Sequence, residues 1–155
     1  MRFIGVYTLN KTTKLKSTDA PKTHLNEDLV DYFITKDGQT FAGFHLLVEI
    51  WGSQNLTDPA GVDEILRSAA RAANATVLHS HIHQFLPSGG VSGVVLLAES
   101  HLSIHTWPER NYAAIDIFMC GECDPYLAVK VLKQRFNPSD IQVQEIRRGI
   151  LQNHT

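Results

Sequence analysis

Between Thr76 and Cys120 the chain offers four strand-like segments with no room for a helix between them. Thr76 to Phe85 alternates apolar and polar residues, as a strand with one buried face does. Leu86-Pro87-Ser88-Gly89-Gly90 reads as a turn, Val91 to Ala98 as a second strand, His101 to Trp107 as a third and Tyr112 to Cys120 as a fourth. Strands joined this tightly pair antiparallel, because a parallel pair needs a long crossover. Two helices flank the run. Asp58-Pro59 supplies a cap and a first-turn proline; Val62, Ile65, Leu66, Ala69, Ala70 and Ala73 follow at helical spacing, with Asn74 as the expected C-cap. Asp124-Pro125 repeats the signal and opens a helix to about Phe136, which Asn137-Pro138 ends. Phe44 to Trp51 reads as a buried strand ahead of the first helix, and Ile141 to Ile146 as a last strand. The order strand, helix, four strands, helix, strand predicts an α+β two-layer sandwich, a mainly antiparallel sheet with both helices on one face.

Residues 1–40 stand apart as an N-terminal extension or arm, with the main domain expected over 41–155. Lys11 to Asp19 is polar and lacks an apolar period, so it reads as a loop or mobile arm. Asp31 to Thr35 and Thr40 to Phe44 flank Lys36-Asp37-Gly38-Gln39, a hairpin signal. The 155 residues, 43% of them hydrophobic, suffice for one domain with its own core. A net charge of −2, from 14 basic and 16 acidic side chains, lacks the basic excess of a nucleic-acid or anionic-membrane binder. No apolar run approaches the roughly 18–20 residues of a spanning helix. The segment Met1 to Asn10 is too short and polar for a secretory signal, and two cysteines cannot build a disulfide framework. A soluble, cytoplasmic protein is the expectation, with neither nucleic acid nor membrane as partner.

Three clusters could carry chemistry. His79, His81 and His83 share one strand face by period two, but no acidic segment completes a metal shell, so no metal is expected. Cys120-Gly121-Glu122-Cys123 has no second ligand pair for zinc; a redox pair, a single reactive thiol and two inert thiols all stay open. Glu99 to Glu109 is the richest stretch, with two serines, two histidines and two carboxylates. On a strand His101, Ser103 and His105 share one face, and Ser100, Leu102 and Ile104 the other.

The run Gly90-Val91-Ser92-Gly93-Val94-Val95-Leu96-Leu97-Ala98-Glu99-Ser100-His101-Leu102-Ser103-Ile104-His105-Thr106-Trp107-Pro108-Glu109 resembles the core motif of the bacterial and archaeal S-adenosylmethionine decarboxylase proenzymes. Tyr112 to Phe118 with Cys120-Gly121 is similar to that family's next strand, and His83 with Phe85-Leu86-Pro87 to its preceding strand end. The resemblance covers about residues 44–150. It implies a pyruvoyl-dependent enzyme that cleaves itself between Glu99 and Ser100, by an N-to-O acyl shift and β-elimination that leave a pyruvoyl group at position 100. By the same resemblance, Ser92 and His105 assist processing, and His105 supplies acid–base help. Cys120 donates the proton after decarboxylation, Glu109 binds the ribose of the substrate, and Phe85 stacks on adenine. It also implies a homodimer of processed protomers whose active sites each draw on both chains. A ketone is the electron sink that decarboxylation requires, and no natural side chain provides one.

Three departures from the family pattern stand near the expected pocket: a turn at Pro87-Ser88-Gly89-Gly90 one residue longer than usual, Gln84 in place of a basic residue, and Met119 in place of a threonine. None touches Ser100, His105 or Cys120, so they bear on the substrate and not on self-processing; beside decarboxylation of S-adenosylmethionine for spermidine synthesis, two alternatives stand. One is decarboxylation of a free amino acid, arginine or ornithine, on the same scaffold. The other is an unprocessed, non-catalytic homologue.

Overall fold

The computed structural model describes residues 32–151. The Lys11–Asp19 loop, and with it most of the expected N-terminal arm, lies outside the described residues. The Asp-Gly signal yields a short hairpin, β1 (Ile34–Lys36) and β2 (Gln39–Phe41). Asp37 and Gly38 both take positive φ, at 52° and 72°, which a two-residue type I′ turn requires.

The main sheet is built from β3 (Gly43–Trp51), β4 (Val77–Gln84), β5 (Val91–Leu97), β6 (Ser100–Trp107), β7 (Tyr112–Met119) and β8 (Asp140–Arg148), in the spatial order β4-β5-β6-β7-β3-β8. Every neighbouring pair is antiparallel. Helices α1 (Pro59–Ala72) and α2 (Pro125–Phe136) carry the chain from β3 to β4 and from β7 to β8. Asp58 and Asp124 cap them, each carboxylate accepting from the backbone N–H two residues on, at 3.1 and 2.9 Å. Asp-Pro thus acts as read: the aspartate satisfies an orphan donor, and proline occupies a position that needs none. The C-cap of α1 is Ala73 rather than Asn74, which follows it with φ of 61°.

Both helices pack on one face. Val62, Leu66, Ala69 and Ala70 of α1 and Ala128, Leu132 and Phe136 of α2 meet Leu46, Val48, Ile50, Leu102, Ile104, Ile115, Ile117 and Met119 of the sheet. Each large side chain so buried contributes about 1.5–3 kcal/mol. Strand β3, expected to be buried throughout, is buried only at alternate positions. Phe44, Leu46, Val48 and Ile50 point to the helices, while His45, Leu47 and Glu49 lie half-buried on the other face and Trp51 is exposed there. Among the described residues no second layer covers that face, because both crossovers run over the same side.

Candidate active site

Strands β5 and β6 are joined by a two-residue turn, Ala98-Glu99, since Leu97 pairs with Ser100. Glu99, at its second position, takes φ of 72°, a conformation usually left to glycine. Ser100 itself opens β6, with its register partner Leu97 on the helix side. Ser100 is 6% exposed. Its Oγ accepts from the Cys120 backbone N–H at 3.2 Å and lies 3.6 Å from the Cys120 thiol. The Cys120 S–H in turn donates to the Glu99 carbonyl oxygen at 2.8 Å. A hydroxyl thus stands one residue after a peptide carbonyl that a thiol polarises, in a bend that non-glycine residues avoid.

Cys120 can do this because it has left the sheet. Strand β7 ends at Met119, one residue short of the expected end, and Gly121 turns the chain with φ of 61°. The Cys120 N–H therefore serves Ser100 instead of the ladder. Cys123 is a second free thiol, whose Sγ points to the Asn74 carbonyl at 3.8 Å; burial and the neighbouring Cys120 push its thiol pKa up. Met119, expected beside the pocket, is fully buried in the core.

A second group lies towards the other end of the strands. Ser92 and His105 are cross-strand partners, and Ser92 Oγ is 2.8 Å from His105 Nδ1. Trp107, Tyr112 and Trp51 continue this end as a stack, with ring centroids 5.2 and 4.2 Å apart. Burial, then a hydrogen bond to Glu49, pushes the Tyr112 hydroxyl pKa up to about 12, so it stays a donor. Glu109 is exposed in the 3₁₀ turn Pro108–Arg110 that follows. Phe85, 49% exposed, meets the His83 ring edge-on at 4.7 Å. Gln84, the second departure, ties the long turn down by donating to the carbonyls of Thr57 (2.6 Å) and Gly89 (3.4 Å).

Within one chain the two groups do not meet. Ser100 and His105 are five residues apart on β6, about 16 Å at the usual strand rise, and they face opposite sides of the sheet. His79, His81 and His83 stand exposed along β4 beside Leu96, Val94 and Ser92. Among the described residues no cluster of three or more His, Cys, Asp or Glu is arranged to hold a metal ion.

The bare face also carries a polar chain that reading Phe44–Trp51 as a buried run missed. Ser103 Oγ donates to Asp116 at 3.0 Å, and His45 Nε2 sits 3.3 Å from the other Asp116 oxygen, too far off line for a hydrogen bond. Arg148 donates to His45 Nδ1 at 3.0 Å. His101, next to Ser100, has its pKa held below the ordinary 6.5 by burial and then by His45 and Arg148, with Asp116 opposing. The signal for this chain was period two: His45, Glu49, Asp116 and Ser103 all fall on the non-core parity of their strands.

The family model for S-adenosylmethionine decarboxylase matches residues 44–149. The S-adenosylmethionine decarboxylase proenzyme of Thermomicrobium roseum is 46% identical over 110 residues, covering 70% of this chain and 95% of the relative. That of Pyrococcus furiosus is 44% identical over 111 residues, covering 70% and 79%. The crystal structure of the adenosylmethionine decarboxylase from Aquifex aeolicus is similar over 74% of this chain and 97% of its own, with a TM-score of 0.61 and 37% identity. The match spans every strand of the main sheet, both helices and both groups of site residues, and on that basis the chain belongs to the S-adenosylmethionine decarboxylase family.

Proposed function

We propose that this chain is a proenzyme that cuts itself between Glu99 and Ser100 and then decarboxylates S-adenosylmethionine, yielding the aminopropyl donor for spermidine synthesis. The observation that carries this reading is the Glu99 bend: φ of 72°, with the carbonyl hydrogen-bonded by Cys120 directly ahead of a buried serine hydroxyl. Such a conformation costs about 1–3 kcal/mol and persists where the surroundings impose it, commonly at reactive sites.

The Ser100 Oγ adds to the Glu99 carbonyl carbon, and the C–N bond breaks as the acyl group moves from nitrogen to oxygen. Removal of the Ser100 Cα proton then expels the Glu99 carboxylate and releases chain 1–99. Water replaces the nitrogen, which leaves as ammonia, so that chain 100–155 begins with a pyruvoyl group. The Cys120 thiol stabilises charge on the Glu99 oxygen during the first step. His105, engaged by Ser92, moves the protons.

Position 100 suits the pyruvoyl group: it is buried and adjoins a thiol at 3.6 Å. The group supplies the electron sink that loss of CO2 requires. Cys120 then holds the proton that the substrate carbon takes up. Glu109 accepts from the ribose hydroxyls and Phe85 stacks on adenine.

The two separated groups require a homodimer. A two-fold axis through the bare sheet face brings the Ser92–His105 end of one copy to the Ser100 end of the other. Val94, Leu96, Trp51 and Trp107 give that face apolar surface to bury. The enzyme is cytoplasmic in this reading, where its two free thiols stay reduced.

The test is a mass spectrum of the purified protein with a CO2-release assay on S-adenosylmethionine, arginine and ornithine. The expected result is two chains, residues 1–99 and 100–155, and turnover of S-adenosylmethionine alone. A full-length chain that is nonetheless active overturns the pyruvoyl mechanism, and an intact inactive chain makes this a non-catalytic homologue. Glu109→Gln sharpens the substrate assignment, with kcat/KM on S-adenosylmethionine falling about 10- to 150-fold for the loss of a charged hydrogen-bonding anchor.

A further inference from the structure

The residues that match the family begin at 44, yet the hairpin ahead of them reaches the loop that carries Cys120. The Gly121 backbone N–H donates to the Tyr32 carbonyl at 3.1 Å. The Tyr32 ring packs there too, since a Cβ on Gly121 would lie 3.5 Å from its Cδ1. Gly121 is the turn residue immediately after the thiol. At its far end the same loop is held by the Asp124 N–H, which donates to the Ala73 carbonyl at 3.1 Å. Beneath it lies an open cavity of about 320 Å³ lined by Ile34, Lys36, Phe44, Glu122, Cys123 and Tyr126. With space under the loop, the Tyr32 contact at Gly121 adds to the bonds that Cys120 makes with Ser100 and Glu99 at the near end.

The hairpin is itself anchored well enough to serve as a fixed point. Phe41 is fully buried and packs edge-on against Phe44 at 5.0 Å. The Arg147 guanidinium lies 5.1 Å from the Phe41 ring centroid and donates to Asp37 at 2.5 Å and to Gln39 at 2.9 Å. Backbone bonds from Ala42 to Arg148 and from Leu151 to Thr40, both 2.8 Å, tie it to β8 and the segment beyond.

We propose that Tyr32 and the hairpin Ile34–Phe41 form a positioning clamp that sets where the Cys120 thiol sits relative to residue 100. The proposal rests on the reading of Cys120 as proton donor. A clamp of this kind acts on kcat rather than on substrate binding, because it fixes the direction of proton delivery. A shift of about 1 Å in a reacting group costs up to roughly 100-fold. The hairpin can be loosened far from the chemistry. Gly38→Val is disfavoured by φ of 72° although nothing lies within 4 Å of a Cβ there, and Arg147→Ala removes the latch.

The experiment measures hydrogen exchange at the Gly121 amide, steady-state kinetics per pyruvoyl group, and the alkylation rate of Cys120, on the self-processed wild type with both its chains and on both variants. In the wild type the Gly121 amide should be protected. In whichever variant exposes it, kcat should fall about tenfold or more with KM within twofold, while Cys120 alkylates faster. An unprotected Gly121 amide in the wild type overturns the clamp. So does an exposed Gly121 amide with wild-type kcat and alkylation rate, or protection that survives both variants while kcat drops. Cys120→Ala, run alongside, separates the two readings. Normal turnover there removes the proton-donor role, whereas impaired Cys120→Ala beside unimpaired hairpin variants removes only the clamp.

Discussion

The two ends of the central strands are built to different standards. At the Glu99 end, Ser100 is buried, its hydroxyl accepts an amide proton, and the carbonyl ahead of it is strained and hydrogen-bonded. At the Ser92–His105 end the same sheet presents an exposed imidazole, a stack of aromatic rings and an exposed carboxylate, with no layer over them among the described residues. In the proposed mechanism the first end supplies the nucleophile and the scissile carbonyl but no base. In the same mechanism the second end supplies the base, His105, and no group within its own chain for it to act on. Complementary deficits at opposite ends of one sheet are what an isologous dimer resolves.

Mixing two dead variants breaks or confirms that comparison with the largest effect. Ser100→Ala and His105→Ala should each fail to form active enzyme as homodimers. If His105 acts across the interface, co-refolded chains regain about a quarter of wild-type sites, since half the dimers are mixed and each has one intact site. If His105 acts within its own chain, the mixture stays dead. Pyruvoyl content and CO2 release both read the outcome.

The Cys120 end can be tested by itself. Cys120→Ala should still cleave, because Ser100 keeps its hydroxyl and the residue 120 amide, but more slowly for want of the thiol's hydrogen bond to the Glu99 carbonyl, while turnover falls roughly 10²- to 10⁴-fold for loss of a positioned proton donor. Cys123→Ala should be nearly silent, since its thiol points away to the Asn74 carbonyl. An equal loss at Cys123 would return the pair to a metal or redox role.

Much of this was legible in the sequence because the signals are local. Asp58-Pro59, Asp124-Pro125 and Asp37-Gly38 each fix a boundary through a hydrogen bond or φ preference within a few residues. Period two also placed Ser100 and His105 on opposite faces of β6. Other features depend on tertiary contacts and left no local trace. Met119 reads as a pocket residue until the helices cover it, and Cys120 continues an apolar strand until Gly121 turns it toward Ser100. The bend at Glu99 was unreadable because no glycine marks it; the strain is visible only in the backbone.

That strain has a measurable size. In the uncleavable Ser100→Ala background, Glu99→Gly removes a left-handed penalty of about 1–2 kcal/mol. The more flexible unfolded chain gives back about 0.4–1 kcal/mol. The expected net is a gain of several tenths to about 1 kcal/mol in denaturant unfolding. A loss of stability instead would mean that the Glu99 side chain makes a compensating contact and that the bend is not strained.

The smallest effect concerns His101, which shares the buried end with Ser100 and has its pKa below 6.5, chiefly through burial. Between that lowered value and 6.5 the unfolded chain binds a proton that the folded chain refuses. The contribution of His101 to stability is therefore fully present above pH 6.5 and is lost as pH falls through the lowered native pKa. His45 and Arg148 strengthen the effect and Asp116 weakens it, so the sign rests on burial outweighing a carboxylate. His101→Gln in the Ser100→Ala background should flatten the rise of unfolding free energy with pH below 6.5 and leave the curve above it parallel to the parent. A variant that instead steepens the acid limb would show that Asp116 dominates, with His101 charged in the native sheet.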